Sequence, residues 1–175
     1  MLGILLSAAM AQQQANGIEI QRRVSPDAYK TAPAKVRAAL KARHCELPST
    51  QNWDNTRLNI VRGHFAAPDQ LDWAAICILP DGSTRALLFW GKPGPAPCPA
   101  EIHHGWALES RFPPGQAGSL YLLSQSTKQI LLYRKFFGDP NGEPVTHEGV
   151  EVGEEEASLI YYCYKGEWLE LPGND

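Results

Sequence analysis

DWAAICILPDGSTRALLFW, residues Asp72 to Trp90, carries the two strands and the turn from which the rest of the fold can be read. Asp72-Trp-Ala-Ala-Ile-Cys-Ile-Leu79 is almost wholly apolar, the mark of a strand covered on both faces. Pro80-Asp-Gly-Ser83 follows as a turn, because proline pre-sets φ and glycine accepts a positive φ. The chain returns as a strand from Ser83 to Gly91 through Ala86-Leu-Leu-Phe-Trp90. Upstream, Leu58-Asn-Ile-Val-Arg-Gly-His-Phe65 alternates loosely and supplies a third strand. Three strands joined by short connections predict an antiparallel meander.

Beyond Trp90, Lys92-Pro-Gly-Pro-Ala-Pro-Cys-Pro99 has too many prolines for a central strand and reads as a stiff crossover loop. A second strand group is expected after it. Ser119-Leu-Tyr-Leu-Leu123 and Gln129-Ile-Leu-Leu-Tyr-Arg-Lys-Phe136 flank Ser124-Gln-Ser-Thr127, read as a hairpin. Phe137 to Glu156, rich in glycine and acid, reads as a loop. Ser158-Leu-Ile-Tyr-Tyr-Cys-Tyr164 and Glu167-Trp-Leu-Glu-Leu171 are joined by Lys165-Gly166, a two-residue hairpin connection. Toward the N-terminus, Val36, Ala39, Leu40 and His44 fall at helical spacing, with Lys35, Arg37, Lys41 and Arg43 on the other face. Pro33 opens and Pro48 closes that segment, predicting a helix over 33–45. Residues 12–32 are polar and Gln-rich, a flexible lead-in. The expectation is an α+β domain over 33–175, mainly an antiparallel meander or sheet of about seven strands with one packed N-terminal helix. No alternating βαβ rhythm appears, which argues against a Rossmann-like sheet.

At 175 residues, 43% hydrophobic and 20% charged, the composition is that of one globular domain. A net charge of −3 gives no reason to expect nucleic acid. Residues 1–62 carry nine Lys/Arg against four Asp/Glu, net +5, and residues 63–175 carry seven against fifteen, net −8. The simplest consequence is that the two halves attract one another. Leu2-Gly-Ile-Leu-Leu-Ser-Ala-Ala9 followed by Ala9-Met10-Ala11 has the apolar run and small-x-small site of a secretory signal peptide over residues 1–11. No Lys or Arg precedes the run, so the α-amino group is its positive charge unless translation starts upstream. The run is too short to span a bilayer, which takes about 20 apolar residues. A secreted or periplasmic location is therefore expected. It bears directly on Cys45, Cys77, Cys98 and Cys163, an even set with no C-x-x-C spacing. In an oxidising compartment four such cysteines make two disulfides in one of three connectivities. Cys45–Cys77 with Cys98–Cys163 is preferred, clipping a helix end to a central strand and a Pro-rich loop to the C-terminal sheet.

Reactive residue types cluster in Gly63-His-Phe-Ala-Ala-Pro-Asp-Gln-Leu-Asp-Trp-Ala-Ala-Ile-Cys77, which offers Cys77, His64 and Asp72 as nucleophile, base and orienting acid. A nucleophilic thiolate needs an electropositive, accessible setting, and an apolar strand interior works against it. No catalytic residue is assigned. There is no G-x-S-x-G elbow. His103-His104, His147-Glu148, Asp139 and Glu154-Glu-Glu156 are the clustered ligand types, yet no H-E-x-x-H motif exists and no metal ligand or cofactor is assigned. Asp139-Pro-Asn-Gly-Glu143 hints at a calcium loop without EF-hand spacing. Trp73, Trp90, Trp106 and Trp168, with Tyr161, Tyr162 and Tyr164, have the chemistry to stack on sugars and read first as core.

Gly63-His-Phe65, a short loop and Asp72-Trp-Ala-Ala75 resemble the strand–loop–strand of FG-GAP or VCBS-type β-propeller repeats, whose loop carries calcium-binding acids. Here the loop reads Ala66-Ala-Pro-Asp-Gln-Leu71, without that acid ladder, and one copy is present. More broadly the chain resembles a family of uncharacterised exported bacterial proteins. That likeness runs through Cys45-Glu-Leu-Pro48, Ile60 to Cys77, Leu87 to Gly91, His147-Glu-Gly149, Ala157-Ser158, Tyr162, Gly166-Glu-Trp168 and Gly173. It implies export and a fold. The functional expectation is a non-enzymatic binding or structural module of the cell envelope, meeting an envelope protein or polymer through residues 138–157 and 92–99. The alternatives are a hydrolase of an envelope polymer using His147 and nearby acids, and a calcium-dependent adhesion module.

Overall fold

A computed structural model describes residues 22–49, 59–139, 141–154 and 157–173. The expected signal peptide over 1–11 and residues 12–21 of the lead-in lie outside the described residues. In chain order the elements are Arg23–Val24 (β1), a 3₁₀ turn at Pro26–Ala28, Ala34–Ala42 (α1), Leu47–Pro48 (β2), Ile60–Gly63 (β3) and Asp72–Ile78 (β4). Then come Thr84–Phe89 (β5), Glu101–Ile102 (β6), Trp106–Glu109 (α2), Tyr121–Gln125 (β7) and Thr127–Phe136 (α3). Gly149–Glu154 (β8), Ala157–Tyr164 (β9) and Glu167–Pro172 (β10) complete the chain.

The apolar run of β4 is explained by what lies on each side of it. Ala74 and Ile76 point into a core shared with Leu122 of β7, Val150 and Val152 of β8 and Tyr161 of β9. Ala75 and Cys77 point the other way, against Val36 and Leu40 of α1. The antiparallel sheet β3-β4-β5-β6 therefore has a second sheet on one face and a helix on the other. The second sheet, β10-β9-β8-β7, repeats the plan. Tyr161 faces the central core, while Ile160 and Tyr162 lie beneath Ile130 and Tyr133 of α3. The layers run α1, sheet, sheet, α3, and β1 with β2 makes a small third sheet beside them.

The α+β class and the antiparallel meander are present, but the sheet count is corrected. Among the described residues there are ten strands in three sheets, against the expected seven or so in one. Three local readings change with it. Gln129 to Phe136, expected as the second strand of a hairpin, belongs to α3. The Ser126 side chain accepts a bond from the Gln129 backbone N–H, a serine N-cap, and the buried residues Ile130 and Arg134 are four apart. Within the expected loop 137–156, Gly149–Glu154 is a buried interior strand. Its one buried acid, Glu151, disguises it; that carboxylate is held by Ser158 Oγ at 2.5 Å and by the Gln125 amide. The helix expected over 33–45 stops at Ala42, where His44 adopts φ of 56° and Cys45 N–H returns to Leu40 O at 3.0 Å. The Lys165-Gly166 connection takes φ of 50° and 93°, as a two-residue hairpin turn requires.

Residues 22–32 are built into the fold. Tyr29 is buried and its hydroxyl donates to Pro48 O at 2.5 Å. Arg23 donates to Phe112 O at 2.6 Å and Pro113 O at 3.0 Å, joining this segment to the α2–β7 loop. Two disulfides close the structure. Cys45, just past α1, bonds Cys77 near the end of β4, and Cys98 of the Pro-rich loop bonds Cys163 of β9. Their sequence separations are 32 and 65 residues. Chain-entropy loss in the unfolded state gives each about 4 kcal/mol.

Candidate functional site

The stretch from Gly63 to Cys77 is accounted for by construction. Cys77 is in a disulfide, and no free cysteine is present among the described residues. Asp72 is fully buried and accepts from Gln70 Nε2 at 2.7 Å, Gly91 N–H at 2.8 Å and Ala66 N–H at 3.2 Å. One carboxylate thus ties the β3–β4 connection to the exit of β5. His64 turns away from both, toward Glu148, whose Oε2 lies 2.7 Å from His64 N and 3.4 Å from its Nδ1. That contact joins the hairpin to the start of β8.

The other histidine groups do not converge either. His147 is buried, stacked on Tyr162 at 4.3 Å, with Nε2 2.9 Å from Cys163 O and Nδ1 2.9 Å from Glu148 O. Both ring nitrogens face backbone carbonyls of the interior, so neither is directed at a substrate. His104 Nδ1 lies 2.5 Å from Glu170 Oε1, at the open edge of β10, while Tyr161 donates to the His104 carbonyl at 2.6 Å. Burial pushes the Tyr161 phenol above its ordinary range, so it stays protonated as that donor. Among the described residues no group of three or more His, Cys, Asp or Glu side chains is placed to hold a metal ion.

Trp73, Trp90 and Trp168 are half-buried against the cores. Trp90 and Trp168 stack at 6.0 Å, and the Trp168 indole donates to Pro99 O at 2.8 Å, holding the Pro-rich loop beside its disulfide. Of Trp73, Trp90, Trp106 and Trp168, Trp106 alone is well exposed.

A concavity lies elsewhere, where α3, the chain that follows it and β10 meet. Arg134 is buried on the core side of α3, yet its guanidinium needs partners at the surface. The chain following α3 supplies them. Arg134 donates to Asp139 Oδ2 at 2.9 and 3.1 Å, to Asp139 O at 3.3 Å and to Glu143 O. Gly142 passes so close that a Cβ there would collide with the guanidinium. The arginine is therefore the post around which this loop is wound. Beside it opens a pocket of about 400 Å³. Tyr162, Leu169 and Leu171 give it apolar surface; Asp139, Asn141, Glu143 and Glu170 give it polar rims. The Tyr162 hydroxyl is turned to the loop, accepting from Thr146 N–H at 2.8 Å and donating to Pro144 O at 3.3 Å. Lys165 sits on the Tyr164 ring at 4.7 Å, and its pKa is raised by the bond to the Tyr164 hydroxyl and by Glu143.

Asp139, Glu143 and Glu170, set against Arg134 in the lining and Lys165 beside it, give this pocket an acidic rim over an apolar floor. Such a lining accepts a group that joins a cation to an apolar body. Of these residues the sequence alone marks Asp139 to Glu143 and, as a stacking aromatic, Tyr162, but not Arg134, Leu169, Glu170 or Leu171. The signal was present in Arg134 and Asp139 five residues apart, and it was hidden by reading 129–136 as a strand. Compared with family models, curated proteins and solved structures, the chain matches none. What the fold and site define is a disulfide-closed double sheet with a loop-walled pocket at its C-terminal edge strand.

Proposed function

We propose that the chain is exported and acts as a non-enzymatic binding module of the cell envelope, taking a basic–apolar segment of an envelope protein or polymer into the pocket beside α3. The observation that carries this is the pocket's composition: Tyr162, Leu169 and Leu171 beneath Asp139, Glu143 and Glu170. Export accords with the sequence pattern of residues 1–11 and with the two disulfides. The proposed contact region is the loop before β8 together with β10, in place of the whole of 138–157 with 92–99, because 149–154 is interior strand. Hydrolysis of an envelope polymer is less favoured, because His147 is buried with both nitrogens facing backbone carbonyls and Glu148 is engaged by His64.

Calorimetric titration with short peptides alternating lysine and leucine, against glutamate–leucine peptides and neutral oligosaccharides, tests the reading. Binding of the lysine peptides alone, weakened about tenfold by Glu143→Gln with Leu169→Ser, is expected; loss of one desolvated charge contact and one apolar contact is worth that much. Equal binding of all three ligands, or binding indifferent to the substitutions, would refute it.

A further inference from the structure

Six large apolar side chains are conspicuously exposed among the described residues, and four of them fall in one seven-residue stretch. Leu131, Leu132, Phe136 and Phe137 are 49%, 55%, 78% and 38% exposed, whereas Leu71 and Trp106 stand apart in sequence. The four belong to α3 and its C-cap. With Ile130 and Arg134 turned inward, helical geometry puts Leu131, Leu132 and Phe136 on the outward half-turn together with Lys128 and Lys135. Thr127 to Phe136 contains no carboxylate, although residues 63–175 as a whole carry net −8. An outward helix face of leucine, phenylalanine and lysine, with no acid, is not what a solvated helix presents.

We propose that α3 is a membrane-surface contact, lying in the headgroup region of an anionic bilayer with Leu131, Leu132 and Phe136 inserted and Lys128 and Lys135 on lipid phosphates. Charge complementarity selects this occupant. Lysine stems extend along apolar surface while their ammonium groups reach the headgroups, so the interleaving of lysine with leucine is favourable there. A second copy is the poorer fit: a two-fold pairing of α3 faces sets Lys128 and Lys135 against their own counterparts, with no carboxylate on the helix to receive them. A peptide is also the poorer fit, since α3 presents a convex ridge and the groove beside it is the acidic pocket already described. This inference does not depend on the pocket's ligand, and the pocket opens on the neighbouring side of Arg134.

Co-sedimentation of the full chain with vesicles of phosphatidylcholine alone, or with 30% phosphatidylglycerol, tests it. The fraction of anionic lipid is a chosen condition of about a third, typical of a charged bilayer surface. The apolar run Leu2 to Ala9 is common to every variant, so differences between variants report on α3. Preference for the anionic vesicles is expected. Leu132→Ser with Phe136→Ser should lower the partition coefficient about tenfold or more. Lys128→Gln with Lys135→Gln should lower it about thirtyfold on anionic vesicles and leave neutral ones unchanged. All four positions are surface ones, so thermal melts of the variants should match the wild type. Equal partition to both vesicles, variants that bind like wild type, or a dimer in light scattering that Leu132→Ser with Phe136→Ser dissolves would each overturn the proposal.

Discussion

Replacing Asp72 should damage the fold, because its carboxylate is the junction of three segments. The side chain is fully buried and accepts three bonds, one from the Gln70 amide and two from the backbone N–H groups of Ala66 and Gly91. At roughly 1 kcal/mol net for each bond, Asp72→Ala costs about 3 kcal/mol. The charge on the acceptor raises that figure, and the partial water access of Ala66 and Gly91 lowers it. Asp72→Asn keeps one acceptor oxygen but sets an amide NH₂ against a backbone donor, for about 2 kcal/mol. His64→Ala is the control. Its ring is half exposed and its one ionic contact is at 3.4 Å, so the loss stays below about 1 kcal/mol. Urea unfolding followed by tryptophan fluorescence, with both disulfides oxidised, measures all three. If Asp72→Ala loses less than His64→Ala, the carboxylate is not the structural junction described here, and a chemical role for Gly63 to Cys77 returns.

Cys98→Ser with Cys163→Ser should lower stability by about 4 kcal/mol through restored chain entropy, and non-reducing peptide maps of the wild type should show Cys45–Cys77 and Cys98–Cys163 only. Gly142→Ala should shift the melting midpoint down by several degrees, since its Cβ collides with Arg134 and forces the 139–143 loop off its arginine. In acid, Asp81 and Asp69 should titrate below the ordinary carboxylate value, Asp81 because the Ser83 hydroxyl and N–H bond it and Asp69 because of Lys92. Both folded pKa values lie below the unfolded ones, so their contribution is complete above about pH 4 and disappears as pH falls through the folded values. Carboxyl NMR titration checks this, and Ser83→Ala should raise Asp81 while leaving Asp69 unmoved.

The first sheet was legible because its signals are local. The β4 run is apolar on both faces, Pro80-Asp-Gly-Ser83 is a turn by composition, and the cysteines sit where a helix end and a Pro-rich loop can reach strands. The second sheet was legible in its final hairpin, where Lys165-Gly166 announces the turn. It was obscured at α3 and β8 for two different reasons. The outward leucines and phenylalanine of α3 erase the polar face by which an amphipathic helix is known, so Gln129 to Phe136 looks like strand. A buried acid between two glycines makes β8 look like loop, since the partners that satisfy Glu151, Gln125 and Ser158, come from other strands. The pocket was lost with α3, because Arg134 has no reason to organise Asp139 and Glu143 unless it is on a helix that ends just before them.

The pocket's role is tested most directly by mapping amide chemical shifts of the protein as a lysine–leucine peptide is added. The account predicts shifts concentrated at Asn141 to Glu143, Tyr162 and Leu169 to Leu171, absent in Glu143→Gln with Leu169→Ser. Shifts centred instead on His64, Glu148 and His147, or no shifts at millimolar peptide, would contradict it.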